Sequence, residues 1–234
     1  MSDGTQLTIL PRMAGKNEPL ARQYLQLLLA GKRVEGTELV LQAAQDGVSL
    51  QNIYLEILKP ALYEVGELWQ RNRLTVAREH LCTAAVQYTM SQLYPRILKG
   101  KQRRLPYAFL GCCVGGELHE VGMRMVTDLF EMAGWDTLYM GANAADEVVV
   151  DEVARKKIEV VGISITIIAH LHLASRLIMA LRSRRETANV LILVGGYSFI
   201  GKPELSQTIG ADAVAIDPLE AIRTAGKLLE EKRG

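Results

Sequence analysis

From Leu105 onward the chain alternates short apolar runs with amphipathic stretches, and this alternation most narrows what it can fold into. Tyr107–Val114, Thr137–Met140, Glu159–Ile165, Val190–Val194 and Ala213–Ile216 read as strands. Val121–Ala133, Ala145–Lys156, Leu173–Arg185, Pro203–Ile209 and Leu219–Lys232 read as helices. Strands alternating with helices make βαβ units, in which each helix carries the chain back to a parallel neighbour. The strand runs are mostly apolar, as in strands buried on both faces. Residues 107–234 are therefore expected to form a doubly wound, flavodoxin-like sheet of five parallel strands.

The first half follows a different grammar. Leu20–Leu29 and Thr37–Ala44 have apolar residues at helical spacing, with Gly31 and Gly36 breaking the pattern between them. Ser49 is placed to cap a helix over Leu50–Trp69, in which Pro60 makes a kink or break. Thr75 is placed to cap another over Val76–Leu98. The expected organisation is a flexible tail over 1–18, a helical bundle over 19–98, a linker over 99–106 and the α/β domain over 107–234.

Charge and cysteine usage narrow the function classes. Net charge is +1, so no overall field attracts nucleic acid or an acidic membrane. The basic residues Lys99, Lys101, Arg103 and Arg104 read as a solvated linker. No apolar run has the length of a membrane span, and Met1–Pro11 lacks the pattern of a secretory signal. The 3 cysteines, Cys82, Cys112 and Cys113, suit neither a disulfide framework nor a zinc site. A reduced, cytoplasmic protein is expected, with no direct contact to nucleic acid or membrane. Phosphate-cradling glycine loops and nucleophile–His–acid triads are absent from the sequence, so no catalytic residue is expected.

The chemistry concentrates in Gly115-Gly116-Glu117-Leu118-His119-Glu120-Val121-Gly122. This segment joins the first strand to the first helix of the sheet, on the edge where open α/β sheets bind ligands. An imidazole that ligates a metal must be neutral, with its second nitrogen held by a partner. Glu117 and Glu120 are both within reach of that task. No cluster of His, Cys, Asp and Glu completes a metal cage, so a metal at His119 must arrive with most of its ligands. His170 and His172 follow the third strand at the same edge. Each is either a contact to an extra ligand or an ordinary histidine at a helix start.

Glu117-Leu118-His119-Glu120-Val121-Gly122 resembles the D-x-H-x-x-G signature of cobalamin-binding domains, with Glu in place of Asp. Ser164-Ile165-Thr166 resembles that family's serine motif after the third strand, and Gly195-Gly196 its paired glycines after the fourth. The resemblance covers the whole second half. It implies that His119 is the lower axial ligand of cobalt, with the cofactor's own base displaced and its nucleotide tail threaded along the sheet. It further implies that Glu117 holds His119, that Ser164 and Thr166 hydrogen-bond the tail, and that Gly195 and Gly196 let the tail pass close to backbone. Gly122 would let the corrin approach, and Gly141 and Asn143 would touch the tail or the corrin amides.

In the first half, Trp69, nine residues, then Glu79-His80 resembles the cap of light-sensing, adenosylcobalamin-dependent regulators. The resemblance implies a bundle over the upper corrin face, with Trp69 shielding the upper ligand and Glu79 and His80 bordering the same cavity. Gln70 stands where the best-known members carry a histidine, and no DNA-binding module is expected before the cap. A variant of that family, the photocobilins, also lacks DNA-binding helices and holds a bilin such as biliverdin as second chromophore. The expected function is thus a cobalamin photoreceptor, with adenosylcobalamin as ligand and light antenna. Its expected partners are itself, as a homodimer or higher oligomer, and a separate regulator or signalling protein. The alternatives are a corrinoid carrier of a methyltransferase system and a cobalamin-dependent adaptor of a transcription repressor.

Overall fold

A computed structural model describes residues 15–100 and 104–233; Lys101 and Arg103 of the basic run, and most of the expected tail, lie outside the described residues. The chain divides between Ile97 and Leu98 into two compact units.

The amino-terminal unit is helical. Its elements are α1 (Glu18–Leu29), α2 (Arg33–Gln45), the short α3 (Leu50–Asn52), α4 (Lys59–Gln70) and α5 (Val76–Gly100). Ser49 caps α3 by accepting from the Asn52 amide at 3.1 Å, and the Thr75 hydroxyl accepts from the Arg78 amide at 3.3 Å. The break expected at Pro60 takes a specific form. Ile53–Leu58 is a turn of π-helix, in which the Lys59 amide reaches back to the Tyr54 carbonyl. Proline lacks the amide that would continue the α-helical ladder, and the wider turn re-pairs the backbone before it. The π turn carries Ile53, Tyr54, Ile57 and Leu58, all at most 1% exposed, so the irregular segment is also central to this unit's core. Buried hydroxyls tie three helices together: Tyr24 donates to Thr89 at 3.1 Å, and Thr37 and Thr89 share a bond of 2.9 Å.

The carboxyl-terminal unit is the expected doubly wound sheet. Its strands are β1 (Ala108–Cys113), β2 (Asp136–Gly141), β3 (Val160–Ser164), β4 (Leu191–Gly195) and β5 (Ala213–Val214). They are parallel and ordered β2-β1-β3-β4-β5. The helices are α6 (Val121–Met132), α7 (Asp146–Lys156), α8 (Leu171–Ser183), the short α9 (Leu205–Thr208) and α10 (Pro218–Arg233). Side-chain alternation along β1 splits the core in two. Leu110, Cys112 and Val114 pack with Val149 and Val153 of α7 and Leu177 and Leu181 of α8. Phe109 and Cys113 pack on the other face with Met123 and Phe130 of α6 and Ala225 and Leu229 of α10. Phe109 stacks on Phe130 with centroids 3.8 Å apart, and Trp135 meets Phe130 edge-on at 5.1 Å, so Trp135 is a packing residue.

This strand order reverses direction between β1 and β3. The chain leaves β1 toward β2 on one side and later lays β3 on the other, so the loops after β1 and β3 diverge and open a crevice. Glu117 and His119 follow β1, and Thr166 and His170 follow β3. Among the described residues, no helix is long and apolar enough to cross a membrane.

Candidate functional site

The site is organised around one carboxylate. Glu117 is fully buried, and five donors converge on it. Its Oε1 lies 2.5 Å from His119 Nδ1 and accepts from the His119 amide at 3.2 Å. Its Oε2 accepts from the amides of Thr166 at 3.0 Å and Ile167 at 3.1 Å, and lies 3.2 Å from His170 Nδ1. The extra methylene of Glu over Asp gives this side chain the length to bridge both loops of the crevice. Burial alone would push its pKa up. The bonds from the His119 ring and amide, then those from the Ile167 and Thr166 amides, outweigh burial and hold it well below the usual carboxylate range.

An ionised Glu117 fixes the tautomer of His119. Nδ1 must carry the proton, which places the ring's lone pair on Nε2, the nitrogen a metal would take. The His119 side chain is 51% exposed. The choice between Glu117 and Glu120 is thereby resolved. Glu120 turns instead toward β2, where its Oε2 accepts from the Tyr139 hydroxyl at 3.1 Å and the Ala142 amide at 2.9 Å. Beneath the loop, the Cys113 thiol reaches the His119 carbonyl at 3.8 Å and bonds the Ser164 hydroxyl, and burial pushes this thiol's pKa well up. It is inert packing beneath the loop.

The other residues singled out in this half divide by what holds them. Asn143 has φ +51°, and its Oδ1 accepts from the Gly116 amide at 2.8 Å, so its side chain locks the loop after β1. Gly141 has φ +73° and packs beside Glu120 and Tyr139. The glycine pair has a reason unlike the one its motif suggests. A Cβ on Gly195 would fall 2.6 Å from the Ala215 carbonyl oxygen, and one on Gly196 2.5 Å from that of Ile165, with φ +110° at Gly196. The protein's own backbone already fills the space that side chains would take. Gly122 is the opposite case: it is exposed, and a Cβ there would meet nothing within 4 Å. Ser164 is 8% exposed and Thr166 is half-buried. His172 is exposed and turns to the Ala169 carbonyl at 2.7 Å, away from the network.

Three features went unread in the sequence: the partner of His170, an apolar rim and a buried hydroxyl. His170 shares Glu117 with His119; the signal was its position after β3, but the contact depends on β1 and β3 being neighbours. Leu118, Ile167 and Ile168 are 73%, 42% and 50% exposed, an apolar rim on both sides of the crevice. Ser198, just past the glycine pair, has a buried hydroxyl with no hydrogen-bond partner among the described residues. Among the described residues, no group of His, Cys, Asp and Glu forms a metal cage.

In the helical unit, Trp69 lies in the last turn of α4 and is 40% exposed, so it is not a core aromatic. Glu79 and His80 lie in the first turn of α5. Glu79 accepts from the Thr83 hydroxyl at 2.7 Å and lies 3.6 Å from the His80 ring, whose side chain is 74% exposed.

Comparison with known proteins bears on the fold and the family. The chain is 26% identical over 211 residues to monomethylamine corrinoid protein 1 of Methanosarcina acetivorans, covering 86% of this chain and 94% of that protein. It is 22% identical over 212 residues to dimethylamine corrinoid protein 3 of the same organism, covering 91% and 98%. The solved monomethylamine corrinoid protein of Methanosarcina barkeri superposes with a TM-score of 0.79 at 21% identity, covering 91% of this chain and all of that one. A methanol:cobalamin methyltransferase complex from M. barkeri gives a TM-score of 0.50 at 14% identity, over 93% and 82%. None of these relatives is named as a light-sensing regulator. Residues 20–94 match one profile described as a B12 binding domain. Residues 107–225, more than half of the chain, match a second profile of that description, and the chain belongs to the B12 binding domain family.

Proposed function

We propose that this chain is a corrinoid carrier: a non-catalytic protein that holds a B12-type cofactor through His119 and presents it to a separate methyltransferase. The observation that carries the reading is the Glu117–His119 pair at the β1/β3 crevice, one ring nitrogen tied at 2.5 Å and the imidazole half exposed. The residues present fit the group. The open space above Gly122 admits a flat macrocycle, and Leu118, Ile167 and Ile168 offer it an apolar rim. The orphaned Ser198 hydroxyl is a buried donor suited to a polar tail. Bound there, the corrinoid supplies a cobalt centre that accepts and releases a methyl group. The chain's own work is to hold His119 in one tautomer, to keep Glu117 ionised, and to bury the tail. The methylamine corrinoid relatives support the carrier reading over the photoreceptor reading, and a methyltransferase is then the separate partner.

The experiment loads the full chain, labelled with ¹⁵N-histidine, with cob(II)alamin. The electron paramagnetic resonance spectrum is expected to show splitting from a single ¹⁵N axial ligand, lost in His119→Ala. An unlabelled splitting pattern, or its survival in the variant, removes His119 from the axial role. Methylcobalamin-loaded protein is then expected to lose its methyl group only when a corrinoid-dependent thiol methyltransferase and a thiol are both added.

The exposure of Trp69 keeps a second reading in view, since an exposed tryptophan is available to shield an upper ligand. On that reading the chain senses light through adenosylcobalamin, with or without a bilin. A dark–light difference in the absorption and oligomer size of adenosylcobalamin-loaded protein, together with no methyl exchange, would replace the carrier reading. A red absorption band beyond that of the corrin would add the bilin.

A further inference from the structure

We infer that the outward face of α5, with the first turn of α2 beside it, is a docking surface for an acidic, apolar-centred face of the separate methyltransferase. The inference deepens the carrier reading and rests on it for the identity of the partner. It concerns the amino-terminal unit alone.

The outer face of α5 is unlike that of an ordinary amphipathic helix. Cys82, Val86, Thr89 and Leu93 form its buried side. Ala77, Leu81, Ala84, Tyr88, Ser91 and Pro95 recur at the spacing of one helix face, and all are exposed and uncharged. The outer face of α10 shows what a packed helix of this chain otherwise presents: Glu220, Arg223, Lys227 and Glu230, exposed at a similar spacing. Contact with solvent gives no reason for an uncharged strip in which Leu81 is 59% and Tyr88 38% exposed.

Cations rim this strip. The turn between α1 and α2 lies against the start of α5, where Arg78 donates to the Leu29 carbonyl at 2.5 Å. The Arg33 guanidinium lies 4.7 Å over the Tyr88 ring, and Val34 beside it is exposed. Lys32 is the N-cap residue of α2, Arg33 is its first residue, and Arg78 lies in the first turn of α5. A helix N-terminus is the positive end of the macrodipole, so these three cations stand where their own helices favour anions. The acids of the same turns are Glu35 and Glu79, and Glu79 is turned to Thr83 and His80. Arg73, exposed just before α5, adds a fourth cation. Among the described residues, Lys32, Arg33 and Arg73 have no ion-pair partner.

Charge and apolarity together select the occupant. On an acidic partner with an apolar centre, carboxylates meet the cations and the two helix ends, and apolar side chains cover Leu81 and Tyr88. A second copy of this chain would set the same cations against themselves. Nucleic acid would set phosphates against Leu81 and Ala84. At 1.5 Å per residue the strip from Ala77 to Pro95 is about 27 Å long and one helix wide. With the first turn of α2 it offers roughly 400–500 Å², against about 800 Å² per partner in a standard interface, so the contact is transient. A carrier that releases its partner after each methyl transfer needs a contact of that kind.

The test measures binding of the full chain, loaded with methylcobalamin, to the corrinoid-dependent thiol methyltransferase by interferometry. It compares wild type, the double reversal Lys32→Glu with Arg33→Glu, Leu81→Ser, and Lys227→Glu on α10 as a control of equal charge change per site. The double reversal is expected to weaken binding about tenfold or more, mainly through slower association. Leu81→Ser is expected to weaken it about threefold to tenfold, mainly through faster dissociation. Lys227→Glu should bind as wild type does. Raising salt from about 50 to about 300 mM should weaken wild type more than the double reversal. All the substituted side chains are exposed, and the thermal melt checks each variant. If the double reversal melts early, Lys32→Gln with Arg33→Gln takes its place, with about a threefold loss expected. Undetectable binding by wild type, equal affinity in the charge variant, or an equal loss in Lys227→Glu overturns the inference. Two results overturn it by naming another occupant: a dimer in sedimentation that Leu81→Ser abolishes, or a DNA duplex bound by wild type and released by the double reversal. Failure of the carrier reading looks different, because wild type would then lack the ¹⁵N-histidine splitting as well; absent docking in a chain that shows the splitting is a failure of this inference alone.

Discussion

The loops after β1 and β4 leave the same edge of one sheet, and both resemble motifs of cobalamin-binding domains, yet they are constrained by different things. After β4, Gly195 and Gly196 are glycines because backbone carbonyls of Ala215 and Ile165 occupy the places of their side chains. The fold demands them with or without a ligand. After β1, Gly122 faces open space and nothing in the fold's own packing calls for it, while His119 is half exposed and tied to Glu117. A motif glycine can thus report on the scaffold or on the ligand, and the surrounding atoms tell which. Substitutions in the loop after β4 should damage the fold, and those in the loop after β1 should damage binding.

The largest effect is expected at Gly196. Gly196→Ala places a Cβ 2.5 Å from the Ile165 oxygen on a backbone held at φ +110°. Strain at such a backbone and overpacking each cost about 1–3 kcal/mol, so a loss of roughly 3–5 kcal/mol is expected in urea unfolding of the cofactor-free protein. A variant that kept full stability and lost only cobalamin would erase the contrast between the loops.

Glu117 stands between the two cases, because it serves both the fold and the ligand. Replacing it by Gln removes a charge that five donors surround and turns an amide N–H₂ toward some of them. A loss of about 2–3 kcal/mol is expected at neutral pH, since hydrogen bonds to charged groups are the stronger ones. The pH dependence has a definite sign. The folded pKa of Glu117 is depressed, so the stability it contributes is complete above the unfolded value of about 4.3 and is lost as pH falls below that value toward the folded one. Wild type should therefore weaken in acid more steeply than Glu117→Gln, and the gap between them should narrow. Parallel acid-unfolding curves would mean that the carboxylate is not held ionised by this network.

The sheet was legible in the sequence because its strands are unbroken apolar runs between helical stretches. The Trp69–Glu79–His80 spacing was legible too, but as a likeness to photoreceptors, whereas the relatives found are methylamine corrinoid proteins. A short motif on a helix end does not say what the helical unit is for. The centre of the site was half legible. His119 and an acidic neighbour could be read, but choosing Glu117 over Glu120 required knowing that Glu120 turns to Tyr139 and Ala142. The bonds from Thr166 and Ile167 to Glu117 span 49 and 50 residues and exist only because β3 lies beside β1. The π turn was hidden for a local reason: Pro60 announces a break, while where the backbone re-pairs depends on burying Ile53, Tyr54, Ile57 and Leu58.

The smallest effect on stability, and the sharpest test of the contrast, is expected at Gly122. It lies in the first turn of α6, where a Cβ would meet nothing within 4 Å. In a helix, alanine is favoured over glycine by up to about 1 kcal/mol, so Gly122→Ala should leave the melting temperature of the cofactor-free protein unchanged or slightly raised. On the carrier reading, the same methyl group would stand on the face that the corrin approaches, beside His119. Titration with hydroxocobalamin, followed by absorption, should therefore show affinity reduced about tenfold, roughly 1.4 kcal/mol. The two measurements move in opposite directions, and a fold-only role for Gly122 cannot produce that pattern. Equal affinity in Gly122→Ala and wild type would move the corrin off this face of α6, and with it the open surface on which the carrier reading depends.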